Sequence, residues 1–197
     1  MKLARMSSLM LVAAMVTMAL IVTSSAAAET TALCNVDQDP CKEANQVTEV
    51  HYEAHNTHFL GEYAYGCSDA LLSAAVGKLG TPQTLEAQSM TYTSCGGGCT
   101  RTTEELGTLS VLRTANESAE VVVNGFKTKV TCSGFSNCIY VLNEQVGVLQ
   151  GPLLTGDNGH ITFEEVPLEK VGGSLLCPAE VRFDALFEAS KQIYVSS

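Results

Sequence analysis

Eight cysteines constrain this chain more than any other feature of its sequence, and all of them lie beyond residue 33. An even number of cysteines in an exported chain predicts disulfides that hold a small fold together. A zinc site is the competing interpretation, but the short spacings are C-x6-C, C-x3-C and C-x5-C, and no C-x2-C pair occurs. The cysteines therefore predict a disulfide-stapled domain.

Proximity along the chain suggests one set of pairings among the roughly 105 that eight cysteines allow. Closing the shortest loops joins Cys34 to Cys41, Cys95 to Cys99 and Cys132 to Cys138, and leaves Cys67 to pair with Cys177. This last bridge closes the longest loop. In the chain-entropy model it would stabilise the fold most, by about 4 to 5 kcal/mol.

The first 28 residues have the order of a secretory signal peptide. Lys2 and Arg5 precede an apolar stretch from Leu9 to Val22, and Ala26-Ala27-Ala28 forms a small-residue cleavage site. The apolar stretch is shorter than the roughly 20 residues that span a membrane. We therefore expect cleavage after Ala28, a mature protein without a membrane span, and a secreted, extracellular or cell-wall-associated location.

The mature part, residues 29–197, is strongly acidic. Without Lys2 and Arg5, 9 basic residues face 21 acidic ones, which gives a net charge of −12. A surface of this sign repels phosphate backbones, so nucleic acid is not an expected partner. The expected partner is an envelope or extracellular ligand that the sequence does not identify, and the oligomeric state stays open.

The pattern of apolar residues predicts an all-β fold. From Val47 onward, short apolar runs alternate with turn signals about every ten residues, which is typical of an antiparallel β-sandwich or barrel. In the run 181–187, Val181, Phe183, Ala185 and Phe187 share one face. We predict a stapled N-terminal arm at residues 29–46, followed by a single β-sandwich or barrel-like domain at residues 47–197.

The individual strands can be placed from the same pattern. Strands are predicted at residues 47–52, 59–66, 85–93, 108–113, 119–123, 126–132, 138–142, 160–166, 181–187 and 193–196. Asn124-Gly125 fits a two-residue hairpin turn. Residues 68–79 have apolar positions at helical spacing interrupted by glycines, so a strand and a single helix both stay open there.

Three of the four histidines fall within eight residues and form the one candidate site. On a strand, His51, Glu53 and His55 share a face, and on a helix His51, His55 and His58 do. Imidazole nitrogens and a carboxylate are suitable ligands for zinc or copper. The alternative interpretation is a solvated polar strand without a cofactor, since no H-E-x-x-H motif occurs.

No catalytic motif stands out in the sequence. A serine hydrolase of the G-x-S-x-G type is excluded because the motif is absent, and every cysteine has a structural use. The sequence therefore predicts a non-enzymatic protein with a structural, adhesive or ligand-binding role. An extracellular metal-binding module is one alternative, and a small secreted hydrolase with a site assembled from distant strands is another.

Three short motifs carry a family resemblance. They are V-T-C-S-G-F-S-N-C-I-Y at residues 130–140, L-L-C-P at residues 175–178 and I-Y-V-S at residues 193–196. Together they resemble a family of uncharacterised bacterial secreted β-rich proteins with a C-x-GF-x-N-C-x-Y hairpin. The resemblance implies an exported β-rich domain over most of the mature chain, and it implies no activity, cofactor or catalytic residue.

Overall fold

A computed structural model describes residues 30–60, 65–115, 117–133, 135–152 and 157–197. The predicted signal peptide at residues 1–28 lies outside these ranges. Within them the chain forms thirteen β-strands and one 3-10 turn at Glu43–Asn45, and no helix there is long and apolar enough to cross a membrane. The strands are β1 Ala32–Cys34, β2 Glu49–Leu60, β3 Tyr65–Val76, β4 Gln83–Cys95, β5 Cys99–Glu105, β6 Thr108–Ala115, β7 Ser118–Asn124, β8 Phe126–Cys132, β9 Phe135–Leu142, β10 Gln145–Gln150, β11 His160–Gly172, β12 Glu180–Ala189 and β13 Tyr194–Ser196.

Alternating burial confirms the all-β prediction. In β12 the side chains of Val181, Phe183, Ala185 and Phe187 are all buried, whereas Arg182 and its outward neighbours contact solvent. Residues 68–79, where a helix was the alternative, mostly belong to β3. Their apolar residues alternate between a buried and an exposed face, which is the period of a strand.

The strands close into an antiparallel barrel whose order around the wall follows the order along the chain. β2, β3 and β4 pair in order, β11 pairs with β12, and β12 returns to β2. Between β4 and β11 each position in the wall is occupied by two consecutive short strands that do not pair with each other, namely β5 and β6, β7 and β8, and β9 and β10. The barrel therefore confirms the barrel-like form of the prediction.

Two consecutive short strands at one position in the wall form a single long strand with a kink between them. Glu105 pairs with Lys127 and Thr108 with Asn124, so the same register continues from β5–β8 into β6–β7. The register likewise continues from β8–β9 into β7–β10. The closed wall thus has eight antiparallel strands, and an interior of this size is filled by side chains or takes one small ligand.

Glycine makes the first of these kinks possible. Gly107 has a φ of +62°, and a Cβ atom there would collide with the backbone of Asn124 and Phe126. Asn124-Gly125 is not the predicted hairpin turn, because β7 and β8 do not pair with each other. The prediction was wrong because a glycine with positive φ can form a kink within a strand as well as a turn that reverses the chain.

Aromatic side chains fill the interior around a buried arginine. Phe163 and Phe183 lie with their ring centroids 6.1 Å apart, and Arg101 is only 5 % exposed beside them. The Arg101 guanidinium carbon is 3.6 Å from the ring centroid of Phe59 and 3.9 Å from that of Tyr92. These cation–π contacts offset part of the cost of burying the charge.

The N-terminal arm closes one end of the barrel together with the C-terminal strand. β1 pairs with β13, and Leu33 and Val195 are fully buried in the main core. Asp39 accepts hydrogen bonds from the backbone and hydroxyl groups of Ser197 and ion-pairs with Arg113. The predicted arm is therefore packed into the same core as the barrel.

All eight cysteines are paired, but only one predicted pairing agrees with the structure. Cys34 bonds to Cys41, as proximity suggested. The predicted bridges Cys95–Cys99, Cys132–Cys138 and Cys67–Cys177 were wrong, because the structure instead joins Cys67 to Cys95, Cys99 to Cys132 and Cys138 to Cys177. Four disulfides indicate an oxidising compartment.

Strand register explains two of the three corrected bridges. Cys67 lies directly opposite Cys95 on β3 and β4, and Cys99 lies directly opposite Cys132 on β5 and β8. Cys95 and Cys99 instead lie at the end of β4 and the start of β5, and Cys138 lies opposite Val130 rather than Cys132. The three bridges gather at the end of the barrel that the N-terminal arm does not cover.

Some strand boundaries also differ from the prediction. The predicted strand at residues 59–66 was wrong, since residues 59–60 end β2 and residues 65–66 begin β3. The short strands β1, β5 and β10 were not predicted. β5 is rich in threonine and charge, and it belongs to the sheet only because β8 pairs with it.

Candidate functional site

The predicted site lies on the outer face of β2. His51, Glu53 and His55 are exposed there and alternate with the buried residues Val50, Tyr52 and Ala54. These three side chains therefore share one face, as the sequence predicted for a strand.

His58 is also exposed on β2, but an irregularity in the strand separates it from Glu53 and His55. Asn56 has a φ of 60°, and the register between β2 and β12 shifts between Asp184 and Phe187. His58 pairs across the ladder with Gly66 and Asp184 and lies outside the group formed by Glu53 and His55. The structure thus does not bring all four predicted residues together.

Asp69 completes a compact group of possible ligands with Glu53 and His55. One ligand atom from each residue lies within 4.8 Å of those of the other two. Asp69 Oδ1 is 3.0 Å from His55 Nδ1, and Glu53 Oε1 is 3.9 Å from His55 Nε2. Thr93 donates a hydrogen bond of 3.2 Å to the second oxygen of Asp69 and so fixes that carboxylate.

His51 makes contacts that are separate from the group of Glu53, His55 and Asp69. Its Nδ1 atom is 2.9 Å from Ser73 Oγ, and its Nε2 atom is 3.5 Å from Glu49 Oε1. The side chain of His51, four residues before His55 on the strand, therefore has its own partners.

Acidic groups surround His55 and raise its pKa. The largest cause is the hydrogen bond to Asp69, and the charges of Glu53, Asp69 and Glu188 act in the same direction, against a smaller effect of burial. Glu188 on β12 lies directly opposite Glu53. Like charges in opposite positions destabilise a sheet, and a bound cation would relieve this repulsion.

The sequence argument missed Asp69 and Glu188, because only the register of β2 with β3 and β12 brings them to this face. Asp69 lies in the segment where a strand and a helix both stayed open, and Glu188 lies just beyond the predicted strand at residues 181–187, so alternation assigned neither side chain to a face. No signal in the sequence determines which residues of neighbouring strands lie opposite His55.

The donor atoms fit a small divalent metal ion. Zinc binds imidazole nitrogen and carboxylate oxygen at about 2.0–2.2 Å, so two ligands of a tetrahedral site lie roughly 3.4 Å apart. The 3.9 Å between Glu53 and His55 Nε2 is close to this value. Asp69 leaves that nitrogen available, because it contacts the other ring nitrogen.

A second polar surface tests the hydrolase alternative. A depression of about 150 Å³ is lined by Asp157, Asn158, Gly159, His160 and Glu188. It brings a histidine near carboxylates, but no serine, threonine or cysteine lines it among the described residues. A hydrolase that uses a side-chain nucleophile has no support in this depression.

Comparisons with family models, with curated proteins and with solved structures find no match to this chain.

Proposed function

We propose that this chain is a secreted or cell-envelope-associated binding domain whose ligand is a divalent transition-metal ion, zinc or copper. Glu53 and His55 are the proposed ligands on the outer face of the barrel, and Asp69 supports them. The observation that carries the proposal is the gathering of ligand atoms from these three residues within 4.8 Å.

Asp69 gives His55 the orientation that a metal ligand needs. Metal-binding histidines usually donate their second ring nitrogen to a carboxylate, which fixes the tautomer and makes the metal-facing nitrogen more basic. Asp69 is 3.0 Å from His55 Nδ1 and is itself held by Thr93. This arrangement directs Nε2 of His55 toward Glu53.

The electrostatic surroundings favour a cation. Glu188 lies opposite Glu53, and the mature part carries a net charge of −12. A negative surface raises the local concentration of cations and speeds their association.

Three features support an extracellular or envelope location for this role. The N-terminal 28 residues have the signal-peptide pattern, the four disulfides indicate an oxidising compartment, and the three short motifs resemble bacterial secreted β-rich proteins. A purely structural or adhesive role in the envelope is the competing proposal, and it needs no metal.

The experiment is a calorimetric titration of the mature, untagged, disulfide-intact protein with zinc and then copper at neutral pH. We expect one ion per chain. His55→Gln should weaken binding by at least 100-fold, and Asp69→Asn by 10- to 100-fold through the lost orientation of His55. His58→Gln is the matched control, because this exposed histidine of the same strand lies outside the group, and binding should not change.

The control variants also define what would contradict the proposal. Absence of stoichiometric binding by both metals would leave the structural or adhesive role. If His58→Gln weakened binding as much as His55→Gln, the metal would be held by scattered histidines rather than by this group.

A further inference from the structure

The wall of the barrel has a gap between β4 and its neighbour. In the described part of the chain, the β4–β6 ladder pairs only residues 83–85 of β4 with residues 109–111. Further along, Thr103 of β5 donates a hydrogen bond of 2.7 Å to the carbonyl oxygen of Met90. Between these two links, Glu86 to Ser89 of β4 face the kink that follows β5.

Irregular backbone lies on both sides of this gap. In β4, Gln88 is an extra residue, since Ser89 pairs with Ser73 and Ala87 with Ala74 on β3. On the opposite side, Gly107 forms the kink between β5 and β6. Bulges and kinks of this kind interrupt strand pairing and often lie beside binding sites.

A cavity of about 40 Å³ lies behind the gap. Ala87 and Leu106 line it and are partly exposed, so the cavity reaches the surface there, whereas Phe163, Phe183 and Phe187 form its inner wall. Met90 also lines the cavity and is buried. The residues that line it contribute almost entirely carbon surface, in contrast to the polar metal group on β2.

Size and chemistry limit what the cavity can hold. A water molecule needs about 10–15 Å³ of cavity volume together with two or more polar partners, and apolar cavities stay dry. The cavity is also well below the roughly 150 Å³ of one that binds benzene. It therefore suits a group of a few carbon atoms and excludes a whole aromatic molecule.

We propose that the gap between β4 and the kink after β5 is a binding site for small amphiphilic molecules with a short alkyl end. The alkyl end enters the cavity past Ala87 and Leu106 and contacts the phenylalanine wall. The polar end stays at the surface beside the unpaired edges of the two strands. This site is independent of the proposed metal group, which lies on the outer face of the sheet.

The test uses methyl-resolved NMR of the mature, disulfide-intact protein titrated with xenon and with linear alcohols from ethanol to hexanol. We expect shifts at the methyl groups of Met90, Leu106 and Leu109 with both probes. Affinity for the alcohols should rise with chain length and then stop rising once the alkyl chain exceeds the cavity.

Substitution of the cavity mouth distinguishes specific entry from adsorption. Ala87→Phe should weaken alcohol binding at least 10-fold, whereas Ala75→Phe, on β3 and outside the cavity lining, should leave it unchanged. Leu106→Ala widens the mouth and should extend the rise in affinity to longer alcohols, which gives a second readout if Ala87→Phe does not fold. Shifts centred on the exposed Val146 and Val148, or no xenon-induced shift at Met90, would overturn the proposal.

Discussion

Gly147 leaves room for the ring of Phe163 in the barrel interior. A Cβ atom at this position would lie 2.6 Å from Cε1, 2.8 Å from Cδ1 and 3.0 Å from Cζ of that ring. Carbon atoms normally pack at about 3.5–4.0 Å. Gly147→Ala therefore requires the ring to move by roughly 1 Å, and we predict that it destabilises the fold.

Two opposing effects set the magnitude. Overpacking a core costs about 1–3 kcal/mol, whereas replacing glycine by alanine stabilises by about 0.4–1 kcal/mol through the unfolded chain. Phe163 packs against Phe183 and Phe187, which resist its displacement, but it also borders the cavity of about 40 Å³. We expect a net loss of about 1–2 kcal/mol in the free energy of unfolding.

Gly172→Ala is the matched control, because Gly172 also lies on a strand, at the end of β11, but has room for a methyl group. Its nearest neighbour would be Ile139 Cδ1 at 3.4 Å, an ordinary contact distance. We expect this variant to be neutral or more stable by up to about 1 kcal/mol. The two variants should then differ by about 2 kcal/mol in urea unfolding followed by circular dichroism, with equal slopes.

A double substitution tests the assigned cause. Phe163→Leu removes the ring that the new methyl group meets, so its combination with Gly147→Ala should be less destabilising than the sum of the two single changes, by about 1 kcal/mol. Equal stability of Gly147→Ala and the wild type, or strict additivity in the double variant, would refute the clash with Phe163.

Two further predictions concern the ends of the barrel. Hydrogen bonds from Ser197, with a contribution from Arg113, lower the pKa of Asp39 to about 2. Because this pKa lies below the unfolded value near 4, the ionised Asp39 stabilises the fold above pH 4, and this contribution is lost as the pH falls from about 4 to 2. In acid titrations, Asp39→Asn should therefore be less stable than the wild type by up to about 1 kcal/mol at neutral pH, and the difference should vanish near pH 2. Removal of the Cys138–Cys177 bridge, which spans 39 residues, by paired alanine substitutions should cost about 4 kcal/mol in urea unfolding. Equal acid sensitivity of Asp39→Asn and the wild type, or a loss below about 1 kcal/mol without the bridge, would contradict these expectations.

The candidate site shows where prediction from the sequence ends. Alternation along β2 placed Glu53 and His55 on one exposed face, because the direction of a side chain on a strand depends only on its position in the chain. Asp69 and Glu188 joined them only in the folded sheet. Which residues lie opposite each other on two strands depends on the register between the strands, and the sequence of one strand does not determine that register.

The sequence by itself determined the all-β class and the outward face of β2, since both follow from local alternation of apolar and polar residues. Only the tertiary structure decided the bridges of Cys67 with Cys95 and of Cys99 with Cys132, because cross-strand neighbours depend on how eight strands align around a closed wall. The same alignment places Gly125 at a kink within one long strand rather than in the expected hairpin turn. Local signals specify each strand, whereas closure of the barrel specifies which strands and side chains meet.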